Sequence, residues 1–264
     1  MCGGGLFDLS NKTEGDRTMG LSLAKTTDRF VDREALALVP TPKPTQTWRP
    51  VPHIDVVDAV ENAIAERGMT IESERFGLAR DSQKMFGVIT LTRRGNTEWT
   101  RCVGIRNSHD QSFAAGICCG VSVLVCSNLC FGGEFVIKRR HTSGIDLKSM
   151  VEETMDAMAD GFLSFEERLL DLHDIPVSDD EARITAVRAA ECGAIPSCDI
   201  LAVFNEYLEP RHDEFRERSQ WSLLNAFTEV AHKYTPARMD VFNRRLTRLF
   251  ALDGQPQSTQ PYYK

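Results

Sequence analysis

Histidine and arginine carry most of the chemistry this sequence offers, and they stand in two short polar stretches. Arg106-Asn107-Ser108-His109-Asp110 precedes an uncharged run from Phe113 to Gly133, and Lys138-Arg139-Arg140-His141-Thr142 follows it. A histidine near a carboxylate is the pairing that general base catalysis uses. His109, Asp110 and His141 are therefore the catalytic candidates, with Arg106 and Asn107 in the same polar pocket. Ser108, Ser112 and Cys119 are the nucleophiles that such a base would serve, yet no G-x-S-x-G elbow frames any of them. The same residue types also cap turns after strands, and that reading competes directly with catalysis.

A second chemistry uses the cations. Arg101, Arg106, Lys138, Arg139 and Arg140, with Arg93-Arg94 in a turn, make a stripe suited to a phosphate backbone. Trp99 and Phe131 are its base-stacking candidates. From Lys84 to Thr142 there are eight Lys or Arg against three acids, a local +5 that leaves −12 elsewhere in a chain of net charge −7. A basic sheet beside acidic helices suits an anionic ligand. Charges on edge strands also keep a sheet soluble, and both readings stay open.

Other chemistries find less to work with. There is no P-loop and no G-x-G-x-x-G fingerprint, which disfavours the usual nucleotide-binding routes. Five of the eight cysteines lie between Glu98 and Thr142, but Cys118, Cys119, Cys126 and Cys130 contain no C-x-x-C pair. Paired thiols at that spacing are the usual mark of structural zinc, so neither a metal nor a cofactor is expected. Cys192 and Cys198, at a helix end and in a loop, read as structural. Cys2 would become an N-terminal nucleophile, as in proteins that resemble glutamine amidotransferases, if Met1 were removed; no downstream clamping motif accompanies it. Reduced, buried thiols and the lack of a secretory pattern at the N-terminus point to a cytosolic protein. The uncharged run is long enough for a membrane span. Gly116, Gly120, Gly132 and Gly133 break it up, which favours a buried core and no membrane partner.

The elements that must position these residues read as an α+β protein. Residues 1–52 form a flexible arm whose Pro40, Pro42, Pro44, Pro50 and Pro52 exclude helix from its end, with Trp48 as its anchor. An N-terminal helix starts at His53, with Ile54, Val57, Val60 and Ile64 on one face and a stop at Gly68. A mainly antiparallel sheet follows, with strands at Met69–Leu78, Met85–Thr92, Glu98–Ile105, Val121–Cys126 and Glu134–Arg140; Ser112–Cys119 has no clear type. Residues 53–142 thus make a helix-plus-sheet unit, and residues 143–252 a helical half of the same domain packed on it. That half opens with a long amphipathic helix from Leu147 to Leu172. Ser178 to Glu181 has the form of a capping box, and later helices cover Cys198–Leu208 and the Trp221–Val230 face. A last helix starts at Thr235-Pro236 and carries Met239, Phe242, Leu246, Leu249 and Phe250 inward. Residues 253–264 read as a disordered tail.

Three segments resemble a large family of uncharacterised phage and plasmid proteins, catalogued as domain of unknown function nine-three-two. Arg106 to Asp110 is similar to the family's R-N-S-x-D-like turn, Cys126 to Phe131 to its V-C-x-N-L-x-F strand, and Lys138 to Thr142 to its basic-His-Thr ending. Trp48 to His53 resembles the family's opening segment and Trp221 to Val230 its C-terminal helix, so the likeness covers about Trp48 to Leu252. Cys119 and Cys130 depart from the pattern. The family brings no catalytic residues; it implies a mobile-element protein in a bacterial host. The helix-then-sheet start is similar in outline to single-strand annealing recombinases of the Redβ and Erf kind. The expectation is a non-enzymatic protein that binds single-stranded nucleic acid in recombination or replication, oligomerisation being open. The alternatives are an enzyme with the polar His/Asp/Arg pocket, or a protein that binds a host defence factor through its acidic helices.

Overall fold

Six strands form one antiparallel sheet in strict chain order: β1 (Arg29–Val31), β2 (Ile71–Ala79), β3 (Lys84–Leu91), β4 (Trp99–Ser108), β5 (Ala115–Val123) and β6 (Leu129–Arg139). The computed structural model describes residues 27–92, 98–123, 129–141 and 146–253. The first part of the arm, the turn at 93–96, the run at 124–128, Thr142 and the tail from 254 on lie outside the described residues. So do the side chains of 129–139.

Before the sheet proper come α1 (Arg33–Ala37) and α2 (His53–Glu66). α2 buries Val56, Val57, Val60 and Ile64 at helical spacing. It ends as the sequence indicates: Gly68 takes φ +64, its N–H reaches Ala65 O, and Met69 N–H reaches Ile64 O. After the sheet, α3 (Leu147–Asp174) packs on β5, β6 and α2. Asp146 caps it through Ser149 N at 3.1 Å, and Met150, Val151, Met155, Phe165 and Leu169 are buried along one face. Then come α4 (Asp179–Glu191), α5 (Ile200–Leu208), α6 (Gln220–Ala231) and α7 (Pro236–Leu249). The capping box at Ser178 and Glu181 is present with both reciprocal bonds. The architecture is α+β, one sheet and a helical half sharing a continuous core.

Three stretches differ from the expectation, one of them β6, which begins at Leu129 and not at Glu134. β1 and α1 fall inside the stretch read as a flexible arm. The prolines govern only its second half, whereas Asp32 caps α1 by accepting from Ala35 N at 2.8 Å. The second difference is β5, which begins at Ala115 within the untyped Ser112–Cys119 piece; residues 124–126 of the expected strand lie outside the described residues. Gly and Ala have little strand propensity of their own. Here β4 and β6 flank the segment and satisfy its backbone on both edges, so pairing outweighs propensity.

One buried carboxylate ties the helical half together. Asp199, just before α5, is 3% exposed; it accepts from Lys233 Nζ at 2.5 Å and Tyr234 Oη at 2.6 Å in the connection between α6 and α7. Burial and this carboxylate push the Tyr234 phenol well above its ordinary range. Asp199→Ala leaves two donors facing a buried gap and is expected to lower unfolding free energy by about 3 kcal/mol. Lys233→Ala, at a half-exposed ammonium, costs less. Urea titrations of both variants check the order.

Candidate functional site

The antiparallel order delivers three connections to one end of the sheet: the β2–β3 hairpin, the turn after β4, and the end of β6. The segment around Val51 lies against that end. Pro50 and Pro52 hold it extended, and its backbone turns to the sheet: the Val51 carbonyl accepts from Asn107 Nδ2 at 2.8 Å and from His109 Nε2 at 2.9 Å. Asn107 and His109 share a face because they are two residues apart on an extended chain.

His53, the first residue of α2, completes the arrangement. Its ring stacks on His109 with centroids 3.8 Å apart and planes 4° from parallel. Its Nε2 donates to Ser82 O at 3.0 Å, and its Nδ1 accepts from Asn107 Nδ2 at 2.9 Å. A carbonyl only accepts, so the proton of His53 sits on Nε2, as does that of His109. His141 joins from the end of β6, where its carbonyl accepts from Arg49 N at 3.0 Å. His53, Asn107, His109 and His141 are all buried.

Burial dominates the electrostatics here. It pushes the His53 imidazolium down to about 4, helped by the nearness of His109 and His141 and only partly countered by the Ser82 carbonyl. Burial also lowers His109 and His141, the latter with a contribution from His109. Three imidazoles in one desolvated cluster are neutral at pH 7.

The cluster braces a strained hairpin. Arg80, Asp81 and Ser82 take φ values of 51°, 52° and 66°, a left-handed path rarely used by side-chain-bearing residues in succession. The turn is held by Asp28 Oδ2 on Arg80 N at 2.7 Å, by the His53 bond to Ser82 O, and by His109 N donating to Gln83 O at 2.7 Å. Two of these three bonds come from the cluster residues.

The sequence candidates separate accordingly. His109 comes together with Asn107 and His53, and His141 stands near enough for its imidazole to feel the charge of His109. Asp110 does not join: it accepts from Ser112 N at 3.0 Å and Ser108 Oγ at 3.1 Å, and lies 3.7 Å from Lys84. Burial alone would raise Asp110, but these hydrogen bonds and Lys84 bring it below the usual carboxylate range. This is turn chemistry. Among the described residues no hydroxyl or thiol bonds any of the three imidazoles, and burial pushes the Cys119 thiol far up, away from a reactive thiolate.

The cations also divide. Arg101 meets Glu166 of α3 through Nη2 at 2.5 Å and Nε at 3.1 Å, and Trp99 Nε1 donates to the same carboxylate at 3.3 Å. Trp99 is buried against Trp221, so its ring is core. Arg106 lies on the other face of β4, paired with Asp240 of α7 at 2.6 Å and over the Phe113 ring. By register Lys138 stands opposite Gly116 in the row of Arg106, whereas Arg139 stands opposite Ala115 in the alternate row. Arg140 is exposed. The sequence reading used His53 only to mark where the fold begins; its place in the opening Trp48–His53 segment was the available signal.

No helix among the described residues is long and apolar enough to cross a membrane. Stability should follow the histidines. A folded-state value of about 4 against an ordinary 6.5 means that unfolding takes up a proton on His53 as pH falls. Its contribution is complete above pH 6.5 and is lost toward pH 4, an expected fall of about 3 kcal/mol. Urea midpoints at a series of pH values should show this fall in the parent protein and a shallower one in His53→Gln.

One comparison with known proteins covers the segments that build this end. The profile of a domain-of-unknown-function family, DUF932, matches residues 43–252. No curated protein and no solved structure matches the chain. The matched region takes in everything from the Val51 segment to α7, including His53, Asn107, His109 and His141. It is most of the sequence, and the chain belongs to the DUF932 family.

Proposed function

We propose that the chain binds single-stranded nucleic acid at the histidine-braced end of the sheet, as a phage- or plasmid-type protein of recombination or replication in a bacterial cytoplasm. The observation that carries this reading is the Arg49 N to His141 O bond, which sets exposed Arg49 beside exposed Arg140. Exposed Arg80 stands on the neighbouring strained hairpin. Arginines on a rigid rim suit phosphate oxygens, because their planar donors lose little freedom on binding.

The proposal moves the contact away from part of the original stripe. Arg101 and Arg106 are engaged by Glu166 and Asp240, so their charge is largely compensated. Arg140 stays a contact, with Lys138 and Arg139 on the adjoining end of β6 in alternate rows. The order of a helix, an antiparallel meander and a long helix across it supports the outline likeness to single-strand annealing recombinases. That likeness is an analogy of fold.

Fluorescence anisotropy with a labelled single-stranded oligonucleotide tests the reading. The parent protein should bind at low salt and release as salt rises. A triple Arg49→Ala, Arg80→Ala, Arg140→Ala variant, altered only at exposed positions, should lower the salt slope by about 2. Absence of binding at low salt, or an unchanged slope in the variant, overturns it.

A further inference from the structure

Base stacking has no seat where the sequence placed it. Trp99 is core, and the side chain of Phe131 lies outside the described residues. Among the described residues, the Phe, Tyr or Trp that is exposed is Phe30 on β1, at 48%. A single exposed apolar side chain is ordinary on a protein surface. What distinguishes Phe30 is where β1 puts it.

Three hydrogen bonds tie this edge strand and the residue before it to the end of β2 and the strained hairpin. Arg29 Nη2 donates to Ser82 Oγ at 2.9 Å, Asp28 Oδ2 accepts from Arg80 N at 2.7 Å, and Asp28 N donates to Leu78 O at 2.7 Å. Phe30 stands opposite Gly77, three residues before Arg80, which is roughly 10 Å along a strand. Directly opposed residues share a face of the sheet. Gly77 offers no side chain there, and the space above it is taken, since a Cβ would collide with Thr27 Cγ2. The Phe30 ring thus has no seat on the sheet beside it and stands in solvent at the edge. Exposed Arg29 precedes it, turned to the hairpin by its bond to Ser82.

We propose, resting on the single-strand reading above, that Phe30 is the base-stacking platform of that site: a nucleobase lies on its ring while the adjoining phosphates meet Arg29 and Arg80. Every base has a π-face, so such a platform adds affinity without choosing a sequence. The arginines supply the attraction that depends on salt, and the ring supplies the part that does not. The acid nearest the ring in sequence, Asp28, has its Oδ2 on the hairpin backbone, which turns it from the ligand toward the protein. β1 thereby extends the rim from Arg80 to the edge of the sheet.

Fluorescence anisotropy on the full chain, from low to rising salt, tests it with a labelled oligothymidylate and an abasic oligomer of the same length. The parent should bind the base-bearing strand at least about fivefold more tightly. Phe30→Ala should lose that preference, bind the abasic strand as the parent does and keep the parent's salt slope, since phenylalanine carries no charge. Phe30→Trp should keep the preference, and the fluorescence it adds should be quenched by oligothymidylate. No preference in the parent, or a preference retained by Phe30→Ala, overturns the assignment and leaves the arginine rim standing. An equal loss of affinity for both strands in Phe30→Ala would report a disturbed rim, and overturns it too. Absence of any binding by the parent overturns both readings.

Discussion

The carbonyl of Val51 accepts two hydrogen bonds, and the arrangement at this end of the sheet follows from that. One bond fixes the tautomer of His109, and the other fixes which way the Asn107 amide points. The oriented amide then donates to His53 Nδ1, which places the His53 proton on Nε2 and aims it at Ser82 O. That bond helps hold three consecutive left-handed residues that cost about 1 kcal/mol or more each. A carbonyl between two prolines can do this because the segment cannot enter a helix and Pro52 has no N–H for a strand ladder. The backbone there must find partners outside regular structure.

The second organising force is the separation of charge. Basic residues concentrate on the sheet and acids on the helices, and the two halves meet through Arg101 with Glu166 and Arg106 with Asp240. These pairs approach the sheet from opposite faces, one through α3 and one through α7. Half-buried pairs of this kind add little net stability, because desolvation offsets much of the attraction. What they add is specificity, since a shifted helix would leave a guanidinium unpaired. A basic sheet can therefore serve docking within the chain, and only cations outside such pairs remain for a ligand.

Much of the architecture was legible because local signals agreed with the fold. The stop at Gly68, the capping box at Ser178, the Thr235-Pro236 start and the amphipathic face from Leu147 each depend on neighbours in sequence. β5 was not legible in its first half, because its glycines and alanine are strand residues only by virtue of the strands on either side. β1 was hidden for the same reason: its three residues pair with Phe76–Leu78, far along the chain. The site was half visible. His109, Asn107 and His141 stand in segments with a family likeness, but their partnership with His53 needs the antiparallel return of β6 and the docking of Val51. The pairing of His109 with Asp110 looked chemical in sequence, whereas beyond the end of β4 the Asp110 carboxylate is taken up by Ser108, Ser112 and Lys84.

Neutral histidines beneath exposed arginines divide the work at this end. The imidazoles carry no charge at pH 7, so they add nothing to attraction for an anion. Their contribution is shape: they hold the hairpin that carries Arg80 and stand behind the backbone bond that places Arg49 beside Arg140. A charged support would have been worse on both counts, since imidazolium protons would compete for the carbonyls that fix the geometry and repel one another across a 3.8 Å stack. Burial that keeps these rings neutral is thus what lets them stack.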